Sequence, residues 1–354
     1  MKAMRSGWAA LTIVGLSLTS AHADTRLQGA GATFPAPLYE RWIAEYQTVK
    51  PDVKIDYQAI GSGGGIKGIT DKTIDFAGSD APMGKKEFAA AGGEDNFIEV
   101  PSCAGGIVPA YNVPGIDKDL NFTGELLADI YMGKINNWND PEIAKLNPDA
   151  KLPNLAITPA WRTDGSGTNY VFTNYLGTQS KDFRSSVGIG KSVKWPVGAG
   201  GKGNAGVAQV VQGTPGALGY LEQNYADKNK IQYGAVQNKN GKFVKASPDS
   251  VAAAGESAVE SMKGDVLAVN IWNQAGDDAY PIASFTYLIV YKDLNNLKTK
   301  EQAEALVAYL TWATHDAQKF DADLDYAPLK QGVQKKIDAA LSHISFGGSP
   351  VASK

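Results

Sequence analysis

TRLQGAGATFPAPLYERWIAEYQTVKPDVKIDYQAIGSGGGIKGITDKTIDFAGSDAP, residues 25–82, switches repeatedly between two hydrophobic periods. Thr25 to Leu27 reads as a strand running into the turn Gly29-Ala30-Gly31-Ala32-Thr33. A helix is predicted from about Phe34 to Val49: Pro35 and Pro37 fall in its first turn, where proline is tolerated, and Leu38, Trp42, Ile43 and Tyr46 share one face. Val53 to Tyr57 alternates as a strand does. Gly61 to Gly65 opens a second helix through Ile66 and Ile69, and Ile74 to Gly78 is a strand ending at Ser79-Asp80-Ala81-Pro82. This is a βαβαβ unit, which implies a parallel sheet.

Downstream, strands are predicted at Ile107 to Tyr111, Leu155 to Trp161, Gly216 to Leu221 and Ile282 to Tyr291. Helical patterns cover Thr123 to Met132, Pro141 to Lys145, Asn169 to Leu176, Ala205 to Gln212 and Glu301 to Phe320. Ser257 to Lys263 is ambiguous. The end of the chain resembles its beginning more than it resembles a third domain. The economical arrangement is two lobes, with residues 24–102 plus 282–354 in the first and 103–281 in the second.

The chemically densest segment is Trp161-Arg162-Thr163-Asp164-Gly165-Ser166-Gly167-Thr168. It sets a guanidinium, a carboxylate, hydroxyls and glycines at the start of a helical pattern. Free N–H groups at a helix start attract anions, and a guanidinium fork suits a tetrahedral oxyanion. Asp164 is placed to hold that fork. Ala32-Thr33-Phe34, Gly61-Ser62-Gly63-Gly64 and Gly78-Ser79-Asp80 share the form of a strand followed by a glycine, hydroxyl or carboxylate turn. In an open α/β sheet such turns gather at the carboxyl ends of the strands, where ligands bind. Taken singly, each has a plainer reading: an N-cap, an ordinary turn, a surface ion pair. Gly63-x-Gly65-x-x-Gly68 and Gly198-x-Gly200-x-x-Gly203 match a dinucleotide pattern formally but lack its context. No Walker A loop is present.

Lys2 and Arg5, the apolar run Trp8 to Leu18 and the small-x-small site Ala21-His22-Ala23 read as an export signal over residues 1–23, with the mature chain starting at Asp24. No cysteine stands at the cleavage site, so no lipid anchor is expected there. The formal charge is −3, and the leader holds two bases and no acid, so the remainder is more acidic still. Such a chain is not built for nucleic acid or anionic membranes, and net charge would not steer an anion to it. Cys103 is the only cysteine, which excludes an internal disulfide; among Gly and Val it reads as a buried small hydrophobe.

Five segments in order closely resemble the periplasmic phosphate-binding proteins of the high-affinity phosphate ABC transporter: Gly29 to Pro37, Ile60 to Gly64, Asp75 to Pro82, Arg162 to Thr168 and Pro215 to Tyr220. The resemblance spans nearly the whole mature chain. It implies a type II periplasmic-binding-protein fold, two α/β lobes with mixed, mostly parallel sheets joined by a hinge. Carried over by position, the phosphate contacts are Thr33 and Phe34 (backbone N–H, with the Thr33 hydroxyl), Ser62, Asp80, Arg162, Ser166, Gly167 and Thr168, with Asp164 orienting Arg162. Trp161 departs from the polar or basic residue usual there. The implied partners are inorganic phosphate and the membrane permease, for a monomer in the periplasm with no cofactor and no metal.

Asp80 decides the selectivity. A carboxylate repels an anion unless the anion brings a proton. Phosphate keeps at least one at neutral pH, whereas sulfate has none, so lone pairs would face lone pairs in a dry site. Two alternatives stand beside this reading: a binder of another oxyanion such as sulfate or molybdate, and a secreted phosphatase. Against the enzyme, the mature chain has only His315 and His343, both far in sequence from Arg162, and no Gly-x-Ser-x-Gly elbow. Asn121-Phe122-Thr123 matches a glycosylation sequon by accident in a bacterial setting.

Overall fold

The computed structural model describes residues 24–351; the expected export signal lies outside the described residues. The chain runs β1 (Thr25–Gly31), α1 (Ala36–Val49), β2 (Val53–Ala59), α2 (Ser62–Thr70), β3 (Phe76–Ser79), α3 (Lys85–Ala90) and β4 (Phe97–Tyr111). It continues through β5 (Asn121–Phe122), α4 (Gly124–Tyr131), α5 (Pro141–Leu146), β6 (Thr158–Arg162), α6 (Gly167–Gln179), α7 (Lys181–Ser186), β7 (Ala199–Gly201), α8 (Gly203–Gly213), β8 (Ala217–Glu222) and α9 (Gln223–Lys228). After β9 (Gln232–Tyr233), β10 (Ala235–Gln237), β11 (Phe243–Val244) and α10 (Pro248–Gly255) come β12 (Ala283–Tyr291), α11 (Lys300–Thr314) and α12 (Gln331–Leu341).

The main sheet has the order β2-β1-β3-β12-β4-β8-β6-β7. It is mixed. β1 runs parallel to β2 and β3 at one end, and β6 runs parallel to β7 and β8 at the other. The middle is antiparallel, with β12 against β3 and β4, and β4 against β8. β4 joins the two parts: Phe97–Gly106 pairs with β12, and Ile107–Tyr111 pairs with β8. All of β4 and all of β12 are buried. Strands buried on both faces lose the alternating pattern and read as continuous apolar runs.

Local chemistry explains the elements that carry the site. α1 buries Leu38, Tyr39, Trp42 and Tyr46, and Tyr39 stacks on Trp42. Gly31 ends β1 with φ +143, and a Cβ there would lie 2.0 Å from the Gly78 carbonyl oxygen; only glycine lets β1 approach β3 this closely at the turn. The turns after β1, β2 and β3 therefore emerge side by side, as do those after β6 and β7.

Three elements differ from the sequence expectation. β4 is far longer than Ile107 to Tyr111, because Pro101 sits at a register shift opposite Thr286/Tyr287, where the missing N–H is tolerated. The last long helix stops at Thr314 and continues as a 3₁₀ turn, Asp316–Phe320, rather than running unbroken to Phe320. The ambiguous Ser257 to Lys263 lies largely in a 3₁₀ segment, Glu256–Ser261. Cys103 is fully buried, and burial pushes its thiol up, consistent with an inert core position.

Candidate anion-binding site

Arg162 is the last residue of β6, and its side chain is 1% exposed. Strand alternation sends the neighbouring Trp161 to the other face, where its Nε1 donates to the Val197 carbonyl at 3.0 Å. The guanidinium is held on three sides. Nε and Nη2 donate to Asp164 Oδ1 and Oδ2 at 2.9 and 2.6 Å, and Nη1 donates to Thr168 Oγ1 at 3.1 Å. Asp164 Oδ1 also accepts the Gly203 N–H at 2.9 Å. Burial works against ionisation of Asp164, but Arg162 and that N–H outweigh it and hold the carboxyl below its usual range. A buried cation fixed this way meets a ligand without further reorganisation.

The first turn of α6 lies beside it. Ser166 is the N-cap: its Oγ accepts the Asn169 N–H at 3.0 Å, which leaves its own O–H available as a donor. The Gly167 N–H donates to Ser62 Oγ at 3.1 Å, and the Asp80 N–H reaches the same oxygen at 3.3 Å. Ser62 at the start of α2 thus ties the β3 turn to the α6 turn, and its hydroxyl proton is likewise free to donate. A Cβ on Gly167 would fall 2.4 Å from Ser62 Oγ and 2.5 Å from Asp80 Oδ2. Glycine is the residue that lets these three groups meet.

Asp80 is 2% exposed. Its Oδ1 accepts the Thr286 hydroxyl at 3.0 Å, and Oδ2 lies 3.5 Å from Thr168 Oγ1. Burial pushes the carboxyl up to about 7, against the opposing pull of the Thr286 hydroxyl and Arg162. Thr286 stands at the register shift in the β12–β4 ladder. Bulges of this kind re-aim side chains next to functional sites.

The turn after β1 is fixed by its carbonyls. Tyr57, Tyr225 and Tyr326 hydroxyls donate to the carbonyl oxygens of Ala32, Thr33 and Phe34 at 2.9, 2.6 and 2.7 Å. Among the described residues no peptide bond is cis. In a trans peptide the N–H opposes the C=O, so the N–H groups of Thr33 and Phe34 are turned away from the tyrosines that hold Ala32 and Thr33. Thr33 Oγ1 accepts from the backbone and side chain of Asn204 at 3.2 and 2.9 Å, and Asn204 Nδ2 also reaches Thr168 Oγ1 at 3.3 Å.

The residues expected from sequence occupy one region. Arg162, Asp164, Thr168, Asp80, Ser62 and Gly167 form one hydrogen-bonded cluster, Ser166 caps the same helix, and Asn204 links Thr33 and its neighbour Phe34 to it. Sequence reasoning did not single out Asn204, Thr286 or the three tyrosines. Asn204 alone had a signal: it follows a glycine loop at the start of a helix. Of the two dinucleotide-like glycine patterns, the first lies inside α2, where the Gly63 N–H donates to the Gly165 carbonyl at 2.8 Å, and the second spans β7 and its turn. His315 and His343 pair with Asp338 and Asp265. Among the described residues no cluster of His, Cys, Asp or Glu could hold a metal ion, and no helix is long and apolar enough to cross a membrane.

A mixed sheet with helix starts, one arginine and two carboxylates gathered at its strand ends defines a solute-binding protein of the PBP superfamily, type II fold, and the PBP superfamily domain matches residues 18–317. The phosphate-binding protein PstS of Pasteurella multocida is 42% identical over 315 residues, 88% of this chain and 89% of that protein. The chain belongs to this family of PstS phosphate-binding proteins. Two solved structures share the fold. The phosphate-binding protein of Stenotrophomonas maltophilia has a TM-score of 0.67 at 19% identity, covering 89% of this chain and 93% of its own. An ABC-type phosphate transport receptor from Vibrio cholerae has a TM-score of 0.54 at 17% identity, covering 86% of this chain and all of its own.

Proposed function

We propose that this protein binds inorganic phosphate between two lobes, residues 24–102 with 282–354 and residues 103–281, and delivers it to the permease of an ABC transporter. It acts as a periplasmic monomer exported by residues 1–23, and it carries out no chemistry on its ligand. The contacts are the N–H groups of Thr33 and Phe34, the hydroxyls of Thr33, Ser62, Ser166 and Thr168, the N–H groups at Gly167 and Thr168, the Arg162 guanidinium and the Asp80 carboxylate.

One observation carries this reading: a buried arginine, already neutralised by the partly buried Asp164, shares Thr168 with the buried carboxyl of Asp80. Arg162 and the amide and hydroxyl donors grip the oxyanion. Asp80 accepts the proton that phosphate carries and sulfate lacks. A site built to bond a ligand hydroxyl rejects the analogue without it by roughly 10⁴–10⁵-fold. The relatives, phosphate-binding proteins of the same family, support phosphate transport over another oxyanion or a secreted phosphatase.

The test is calorimetric titration of the phosphate-free protein at pH 8 with phosphate and with sulfate. Tight one-to-one phosphate binding with sulfate weaker by three orders of magnitude or more is expected. Equal affinities would remove the role given to Asp80.

A further inference from the structure

Lys191 and Glu87 meet across the proposed cleft, far from each other in sequence, with Nζ 2.5 Å from Glu87 Oε1. The two side chains are 23% and 29% exposed, so the pair is better shielded from solvent and salt than an ordinary surface pair. Neither end is free to drift.

Each end hangs on a turn that bears ligand groups. The Lys191 carbonyl accepts the N–H of Ser166, the N-cap of α6, at 2.9 Å. Glu87 Oε2 accepts the Gly84 N–H at 2.7 Å, which closes the start of α3 immediately after the Asp80-Ala81-Pro82-Met83 turn. Glu87 therefore uses one oxygen to fix the Asp80 side and the other to hold Lys191 from the Ser166 side. Met83 is tied in as well, donating its N–H to the buried Glu99 at 3.4 Å. Nothing in the phosphate chemistry needs this ion pair, yet it bridges the two turns on which Asp80 and Ser166 stand.

We propose that the Lys191–Glu87 pair is a closure latch that sets how long the liganded cleft stays shut. The inference rests on the phosphate-binding reading above. The latch acts on dissociation: it forms only after the two sides have come together, so it slows opening and leaves encounter nearly untouched.

The experiment is a double-mutant cycle on phosphate release, measured by stopped-flow tryptophan fluorescence with wild type, Lys191→Met, Glu87→Gln and the double variant. Gln at 87 keeps an acceptor for the Gly84 N–H and removes only the charge. Each single variant is expected to release phosphate roughly three- to tenfold faster, and the double variant no faster than the singles. The charge swap Lys191→Glu with Glu87→Lys should recover part of the slow release. Normal phosphate binding with unchanged release, or with effects that simply add, overturns the latch alone. Failure of the wild type to bind phosphate overturns the reading beneath it and the latch with it.

Discussion

Replacing Asp80 by Asn separates charge from shape at the position that we propose governs ligand choice. The amide keeps the volume of a side chain that is 2% exposed, and its oxygen still accepts the Thr286 hydroxyl, now 3.0 Å from Oδ1. The NH₂ group then stands where Oδ2 stood, beside Thr168 and Gly167. It donates to an oxyanion and accepts no proton. Losing a hydrogen bond to a charged acceptor costs about 1.5–3 kcal/mol, so phosphate binding should weaken roughly 10- to 150-fold. Sulfate should gain. Burial pushes the Asp80 carboxyl up to about 7, so at pH 8 it stands ionised and opposes an anion that brings no proton. Asn removes that opposition, so the phosphate-to-sulfate ratio should fall by at least about 10²-fold. The sign with pH follows from the same shift. Above about 7 the carboxyl is ionised and repels sulfate, whereas below it the carboxyl holds a proton and can donate to a sulfate oxygen. Wild-type sulfate affinity should therefore rise from pH 8 to pH 5, and that of Asp80→Asn should stay level. Calorimetry with both anions at both pH values reads these effects. An Asp80→Asn protein that keeps the wild-type ratio would refute the reasoning.

Further outcomes are as specific. Gly167→Ala should weaken phosphate binding by more than about 10²-fold, because its Cβ would lie 2.4 and 2.5 Å from Ser62 Oγ and Asp80 Oδ2; titration with phosphate checks it. Tyr225→Phe removes the 2.6 Å bond to the Thr33 carbonyl and should cost roughly tenfold in affinity with little change in fold, by calorimetry and circular dichroism. Phosphate affinity should change less than about threefold between 0.1 and 1 M sodium chloride, since buried pairs escape screening; a steep salt slope would point to net charge instead. Incubation with a generic phosphate ester, with and without divalent metals, should release no phosphate above the uncatalysed background.

The parts of the candidate site legible in the sequence were those carried on turns at strand ends. A strand followed by glycine and hydroxyl residues and then a helix has a sequence form, and Thr33, Ser62, Asp80 and the run from Arg162 to Thr168 all sit in that form. Thr286 does not. It lies in β12, where every residue is buried, so nothing marks its hydroxyl as aimed at Asp80. Tyr57, Tyr225 and Tyr326 read as core aromatics, because their packing and their bonds to the Ala32, Thr33 and Phe34 carbonyls come from different parts of one side chain. The reach of β4 was hidden by Pro101, Gly105 and Gly106, residues that end a strand by propensity and are overridden by pairing with β12. The end of α11 at Thr314 was invisible for a related reason: His315 and the 3₁₀ turn after it continue the apolar pattern without continuing the helix.

The most direct measurement is a crystal structure with inorganic phosphate at a resolution that separates short from ordinary hydrogen bonds. One tetrahedral ion is expected, touching the Arg162 guanidinium and the N–H groups of Thr33 and Phe34, with one oxygen in a short bond to the Asp80 carboxylate. An ion bound elsewhere, or Arg162 and Asp80 directed at separate spaces, would contradict a shared proton-accepting site.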